Sequence, residues 1–295
     1  TLRDVPQQVE NQIPADPLAS PLLHAFTRLP DTIPVAAQEE LRAGAVAAYT
    51  EQVVPAFRRL HDYLADTYVP AARESVALAD LPDGTAWYAF DVAEVTTTTL
   101  TPQAIHDLGL AEVARIRAAM EAVVAESGFT GDLSAFMKHL RTDARFFCAT
   151  PAELLAAHRD IAKRADAGLV RLFGRLPRLP YGVAAVPAYA ERAQPAAYYE
   201  AGSLAAGRAA YFYANTSDLR SRPRWAMEAL TLHEAVPGHH LQIALAQELE
   251  GVPEFRRHGG YTAFVEGWGL YAEGLGAEMG FYQDAYSRFG RLTYE

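Results

Sequence analysis

A single cysteine, Cys148, occurs in the 295 residues, so no intrachain disulfide can form and stability has to come from packing. No histidine partner stands near it in the sequence, and it reads as a core residue beside Phe146 and Phe147 rather than as a reactive thiol. Positive charge is scarce too. The 26 Lys and Arg are outnumbered by 36 Asp and Glu, giving a net charge of -10 without a long basic run. That balance argues against nucleic acid or an anionic membrane surface as the main partner. No apolar run approaches the roughly 20 residues of a membrane-spanning helix, and no signal-peptide pattern is present. A cytoplasmic protein is the expectation, although a start at Thr1 rather than Met leaves room for a secreted or lipoprotein form with a removed leader. Internal repeats and low-complexity tracts are also missing.

Half of the residues are hydrophobic, enough to bury a sizeable core as one large domain or two tightly joined ones. Residues 1 to 34 carry six prolines and read as an irregular segment lying over something else. Beyond them Phe57, Leu60, His61, Leu64 and Tyr68 repeat at helix spacing, with Pro55 kinking or restarting the helix. His61 on that stripe reads as a core histidine rather than a ligand. The β-branched and aromatic stretch TAWYAFDVAEVTTTT, residues 85–99, predicts a strand followed by a loop. Thr101 and Pro102 then mark the start of a helix, with Ile105, Leu108, Val113, Ile116, Met120 and Val123 as its buried face. Thr150 to Glu153 form a capping box before another helix with Leu154, Leu155, Ile161, Leu169 and Leu172 inward. Prolines 177, 180, 187 and 195 interrupt the helical pattern. They suggest a boundary between a helical part, 1–175, and a metal-site part, 176–295, with one continuous domain as the alternative. A short aromatic strand, AAYFYANT, precedes the last helical stretches. The fold class is mostly α, with one or two short strand pieces.

The chemistry concentrates in TLHEAVPGHHLQ, residues 231–242. In a zinc-peptidase helix two histidines four residues apart share a face, and the Glu after the first aims at the hydrolytic water. Here His233 and Glu234 supply the first half, but His239 and His240 follow six and seven residues on. Six residues turn a straight helix by about 600°, and seven separate the side chains by about 10.5 Å along the axis. Neither pair would chelate one ion comfortably. Pro237 lacks the N–H that would reach the carbonyl of residue 233, and its ring clashes there, so the helix must open. Gly238 permits a widened turn, and two extra residues in that turn would bring His239 to the second ligand position. His240 remains the alternative if the helix stays regular. A third ligand is offered by Glu266 in AFVEGWGLYAE, 263–273, and Glu273, two turns beyond on the same face, is a candidate partner for a ligating histidine. Gly267, Gly269, Gly274 and Gly276 would let the two helices approach closely. Taken singly, a His-Glu pair or an isolated Glu is commonplace; their conjunction around a Pro-Gly break points to a metal site.

These residues resemble a known family. HEAVPGHHLQ, TAFVEGWGLYAE and EMGFY, with the softer matches LRTDARFF, AELLAAHRDI, LFGRLPRLPYGV, AAYYEAGS and YFYANTSDLRSRPRW, are similar to bacterial domain-of-unknown-function family 885, whose members are regarded as relatives of the Glu-zincin metallopeptidases. The resemblance implies a Glu-zincin-like helical architecture and a metal centre of His233, Glu234, His239 or His240, and Glu266. It implies no substrate. Family members are about twice this length, so the chain reads as a fragment of a longer one.

The expected function is zinc-dependent hydrolysis of amide bonds in small peptides. Zn2+ would be the cofactor and Glu234 the general base. Tyr261, Tyr271 and His258 are candidate oxyanion donors. Tyr211 to Asn215 could pair with an extended substrate, or simply pack on the core. Arg220, Arg222 and Arg224 could hold a substrate carboxylate, though a solvated turn is the plainer reading. Two alternatives stand beside this: a non-haem Fe(II) enzyme with two histidines and one carboxylate, and a non-catalytic helical binding protein with a residual metal site.

Overall fold

The computed structural model describes residues 2–295, and the chain is mostly helical with a small three-stranded sheet. Two compact units divide it, Thr1–Pro82 and Asp83–Glu295. In the first, the proline-rich leading segment holds short helical turns and not irregular chain. These include α1 (Val5–Glu10) and α2 (His24–Thr27), with Pro17 and Pro21 each opening a 3-10 turn capped by Asp16 or Ser20. Proline at the first position of a helical turn loses no bond, because that N–H has no partner anyway. Helices α3 (Val35–Ala48) and α4 (Val54–Tyr63) join through a widened turn at Tyr49–Val53, just before Pro55, where the helix restarts as its missing donor requires. Tyr49 is buried, and its hydroxyl donates to the Gln12 carbonyl at 2.8 Å. His61 is only partly covered and pairs with its neighbour Asp62, so it is no core histidine.

The second unit begins with α5 (Gly84–Thr96), a helix where the sequence suggested a strand. A strand needs a neighbour to take its backbone bonds, and none lies alongside; a helix satisfies them within itself. Helix α6 (Pro102–Glu126) is capped by Thr101 as expected, but its apolar face is buried only at the C-terminal half. Val123 and Val124 are covered and Ile116 and Met120 partly so, while Leu108 and Val113 are exposed. Helix α7 (Leu133–Thr142) packs Phe136 and Leu140 into the same cluster as Phe146, Phe147 and Phe289. Helix α8 (Pro151–Gly168) starts at the Thr150 cap and buries Leu154 and Ile161.

The sheet follows: β1 (Tyr181–Ala185), β2 (Ala197–Glu200) and β3 (Ala210–Ala214), in the order β1-β3-β2. β3 runs parallel to β1 and antiparallel to β2. The prolines of residues 176–200 therefore flank strands within one compact unit, and the expected break at 175/176 corresponds to no separation there. Helix α8 packs on β1 and on α9 across it. Prolines at strand ends interrupt helices without parting domains.

Helix α9 (Met227–Glu234) packs against α8, β2, α12 (Thr262–Leu275) and α13 (Ala285–Tyr294), and is covered on nearly every side. Its Ala229, Leu230 and Leu232 face the core, and Thr231 accepts a 2.8 Å bond from the buried His158 Nδ1 while donating to the Met227 carbonyl. Helix α10 (His239–Gln247) follows after a short break, and α11 (Glu254–His258) lies between α10 and α12. Cys148 is buried in the core, as its surroundings predicted.

Candidate metal centre

The helix opens where Pro237 requires. α9 ends at Glu234 and α10 begins at His239; between them the Gly238 amide reaches back six residues to the Leu232 carbonyl at 2.9 Å, and the His240 amide five residues to Ala235 at 3.0 Å. A regular turn reaches back four, so this one is wider by two. Gly238 is needed for closeness: a Cβ there would lie 1.8 Å from the His233 carbonyl oxygen. The Trp268 indole, from α12, donates to the Pro237 carbonyl at 2.9 Å and fastens the turn.

The wide turn brings the His239 ring to 4.6 Å from the His233 ring, centre to centre and nearly perpendicular. Glu266 reaches both from α12, with Oε2 3.4 Å from His233 Nε2 and 3.7 Å from His239 Nε2. The three candidate ligand atoms lie within 4.8 Å of one another. A tetrahedral ion with bonds of about 2.0–2.1 Å sets its ligand atoms about 3.4 Å apart, so the two Glu266 distances are near that spacing and a small contraction of the cluster would let these donors hold such an ion. Glu266 is 58% exposed while both histidines are largely covered, leaving the cluster open on the carboxylate side.

His240 turns the other way. Its Nε2 donates to the Leu179 carbonyl at 3.0 Å, and its Nδ1 faces the Tyr199 hydroxyl at 3.1 Å, so neither nitrogen is free for an ion. Burial pushes its pKa down to about 4 and keeps it neutral. Of the two histidines left open by the sequence, the structure brings only His239 to the cluster.

Glu273, almost wholly buried, meets His233 Nδ1 at 2.8 Å from below. Burial alone would lower the His233 pKa, but the Glu273 bond and the charges of Glu234, Glu273 and Glu266 outweigh it and raise the value. Gly269 makes this possible, since a Cβ there would sit 2.5 Å from the imidazole. Gly276 similarly admits Leu232 and Tyr282, whereas Gly267 and Gly274 approach nothing closely, so only two of the four expected glycines have that role.

Glu234 does not join the ligand atoms. It is buried beside them, with the Tyr199 main-chain amide against its carboxylate, and its pKa is pushed up to about 7 by burial first and by Glu266 next, with His233 opposing. A cavity of about 310 Å³ lies in front, lined by Tyr198, Tyr199, Ile243 and Val265 together with His233, Glu234, His239 and Glu266. The remaining expected residues are elsewhere. Tyr261 is exposed, Tyr271 lies tilted against Trp268 at the surface, and His258 pairs with Glu254 on α11; none lines the cavity. Arg224 pairs with Glu153 and Arg220 lies over Phe147, so these two are committed within the protein; Arg222, like them, does not line the cavity. β3 is paired on both sides, which removes Tyr211 to Asn215 as a substrate-pairing strand; the edge strands are β1 and β2, and β2 is the one that lines the cavity. Tyr198 and Tyr199 were not singled out in the sequence. Their signal was a Tyr-Tyr pair between turns, meaningful only once β2 is placed at the edge.

A family profile described as "Bacterial protein of unknown function (DUF885)" matches residues 1–295. Among solved structures, one described as "the putative lipoprotein from Colwellia psychrerythraea" superposes with a TM-score of 0.91 at 26% identity, covering 100% of this chain and 52% of that one. The chain thus spans about half the length of that relative. No protein of curated function matches.

Proposed function

The chain belongs to the bacterial family DUF885, and from that premise and the geometry above we propose that it is a metal-dependent hydrolase of amide bonds in small peptides. The observation that carries this reading is the cluster of His233, His239 and Glu266 with a buried, proton-accepting Glu234 beside it and no role for that Glu as a ligand. Bound zinc would supply Lewis acidity toward a carbonyl oxygen and toward water. Glu234, with its pKa near neutrality, takes the proton of the attacking water and returns it to the leaving amine. Glu273 holds the His233 ring with Nε2 turned inward. On β2, the Tyr199 amide points away from β3 and is taken by Glu234, so the other outward backbone groups of Ala197 and Tyr199 are the ones that would pair with an extended peptide along the cavity. The Fe(II) alternative gives Glu234 no task, and a residual-site binding protein gives none to its raised pKa.

The name of the Colwellia psychrerythraea relative favours an exported setting over the cytoplasm expected from sequence. No helix among the described residues is long and apolar enough to cross a membrane. Metal analysis of protein purified without chelator, joined to a peptide-library cleavage screen on the longest natural chain, tests the proposal. About one zinc per chain, lost in Glu266→Ala, with cleavage abolished by chelator, is expected. Iron in place of zinc, or zinc with no cleavage of any peptide, would overturn it.

A further inference from the structure

The rear nitrogens of the two cluster histidines are served unequally. His233 Nδ1 has Glu273, whereas His239 Nδ1 is buried and has no partner. An imidazole that offers its Nε2 lone pair to an ion must carry its proton on Nδ1. A buried N–H left without an acceptor is destabilising, because it gives up its bond to water and gains none. Three residues along α10, Gln242 Oε1 is likewise buried and without a partner. The orientation of that amide is fixed from its other end: Gln242 Nε2 donates to the Phe264 carbonyl at 3.2 Å, which only the nitrogen can do. The oxygen is thereby left as an acceptor. Residues three apart on a helix share a face, and the Gln242 side chain is a near neighbour of the His239 ring, the two rear atoms stopping short of a formed bond.

We infer that Gln242 is a positioning residue for the metal centre, accepting the Nδ1–H of His239 through Oε1 while its Nε2 holds the turn of α12 that carries Glu266. The inference rests on the metal reading above and deepens it. One amide would then fix the tautomer of the second histidine and tie it to the helix of the third ligand. The two histidines differ in consequence. His233 is backed by a carboxylate, which adds negative charge; His239 is backed by a neutral amide, which orients it without adding any.

The test is zinc affinity by chelator competition in the wild-type chain, Gln242→Met and Gln242→Glu, with far-UV circular dichroism as the check on folding. Methionine keeps the length without an acceptor, and a 10- to 100-fold weaker Kd is expected, the usual loss when such a partner is removed. Glutamate keeps an acceptor for His239 but not the amide donor, and is expected within about fivefold of wild type. In zinc-loaded wild type, nitrogen-15 spectra should show His239 as the Nδ1–H tautomer with a slowly exchanging proton, and that protection should vanish in Gln242→Met. A methionine variant that binds as tightly as wild type overturns the inference, as does a glutamate variant as weak as the methionine one, since the Phe264 link alone would then be responsible. Failure of the metal reading looks different: wild type would bind zinc no better than His233→Ala, and the inference would fall with it.

Discussion

Glu234 is costly to the folded chain and useful for that reason. Its carboxyl holds a proton up to about pH 7 in the folded state, where burial disfavours the charge, and releases it near 4.5 when unfolded. Between those values the folded chain binds more protons, so its stability is complete below 4.5 and declines as the pH rises through 7. By about pH 8 the deficit approaches 3 kcal/mol in the metal-free chain. Glu234→Gln removes the titration and keeps the size. It should raise the urea midpoint of metal-free protein at pH 8 and leave it nearly unchanged at pH 4.5; equal shifts at both would show that Glu234 is not strained by burial. The same variant should retain zinc yet slow hydrolysis by at least about 10²-fold, as expected of a missing general base. Turnover at the wild-type rate would place the base elsewhere. A His-Glu pair made this residue legible in the sequence. Gln242 was not, because a glutamine three residues past a histidine has no meaning until both of their rear atoms are found buried together.

At the scale of elements, the break between α9 and α10 was legible because proline and glycine act through backbone sterics that hold in any surroundings. α5 was not. Its residues favour strands only where a neighbouring strand exists, and sequence does not show neighbours. The glycines of α12 fall between these cases. Their spacing suggested four close approaches, and the fold uses Gly269 and Gly276. Gly269→Ala should therefore displace the His233 ring from Glu273 and weaken zinc binding by at least about tenfold, whereas Gly267→Ala, facing open space, should bind normally and raise helix stability by about 0.5–1 kcal/mol. Matched zinc titrations and thermal melts of the two variants check this. Equal affinities would mean that α12 does not press on the imidazole.

Over the whole molecule, acid should unmake the fold through histidines that are no part of the cluster. His158 and His240 are both held neutral by burial, with pKa values near 4 against an ordinary 6.5. The unfolded chain binds their protons first as the pH falls, so their contribution is whole above 6.5 and lost toward 4, about 3 kcal/mol for each when complete. Urea melts should show His158→Gln losing distinctly less stability than wild type between pH 6.5 and 4; an unchanged slope would mean His158 titrates freely. The division at 82/83 was hidden in the sequence because prolines mark strand ends as readily as they mark linkers, and the denser set lies at 176–200. The arrangement of the cluster bears finally on how an ion would arrive and leave. In the proposed centre the two histidines are held in the core, while Glu266 reaches in from an exposed face. Glu266 would then be the only donor that has to move aside before an ion leaves the two histidines, with no opening of the fold. Loss of zinc to excess chelator should proceed at a rate unaffected by urea below the unfolding transition; a rate climbing with urea would mean that the ion escapes only when the protein breathes.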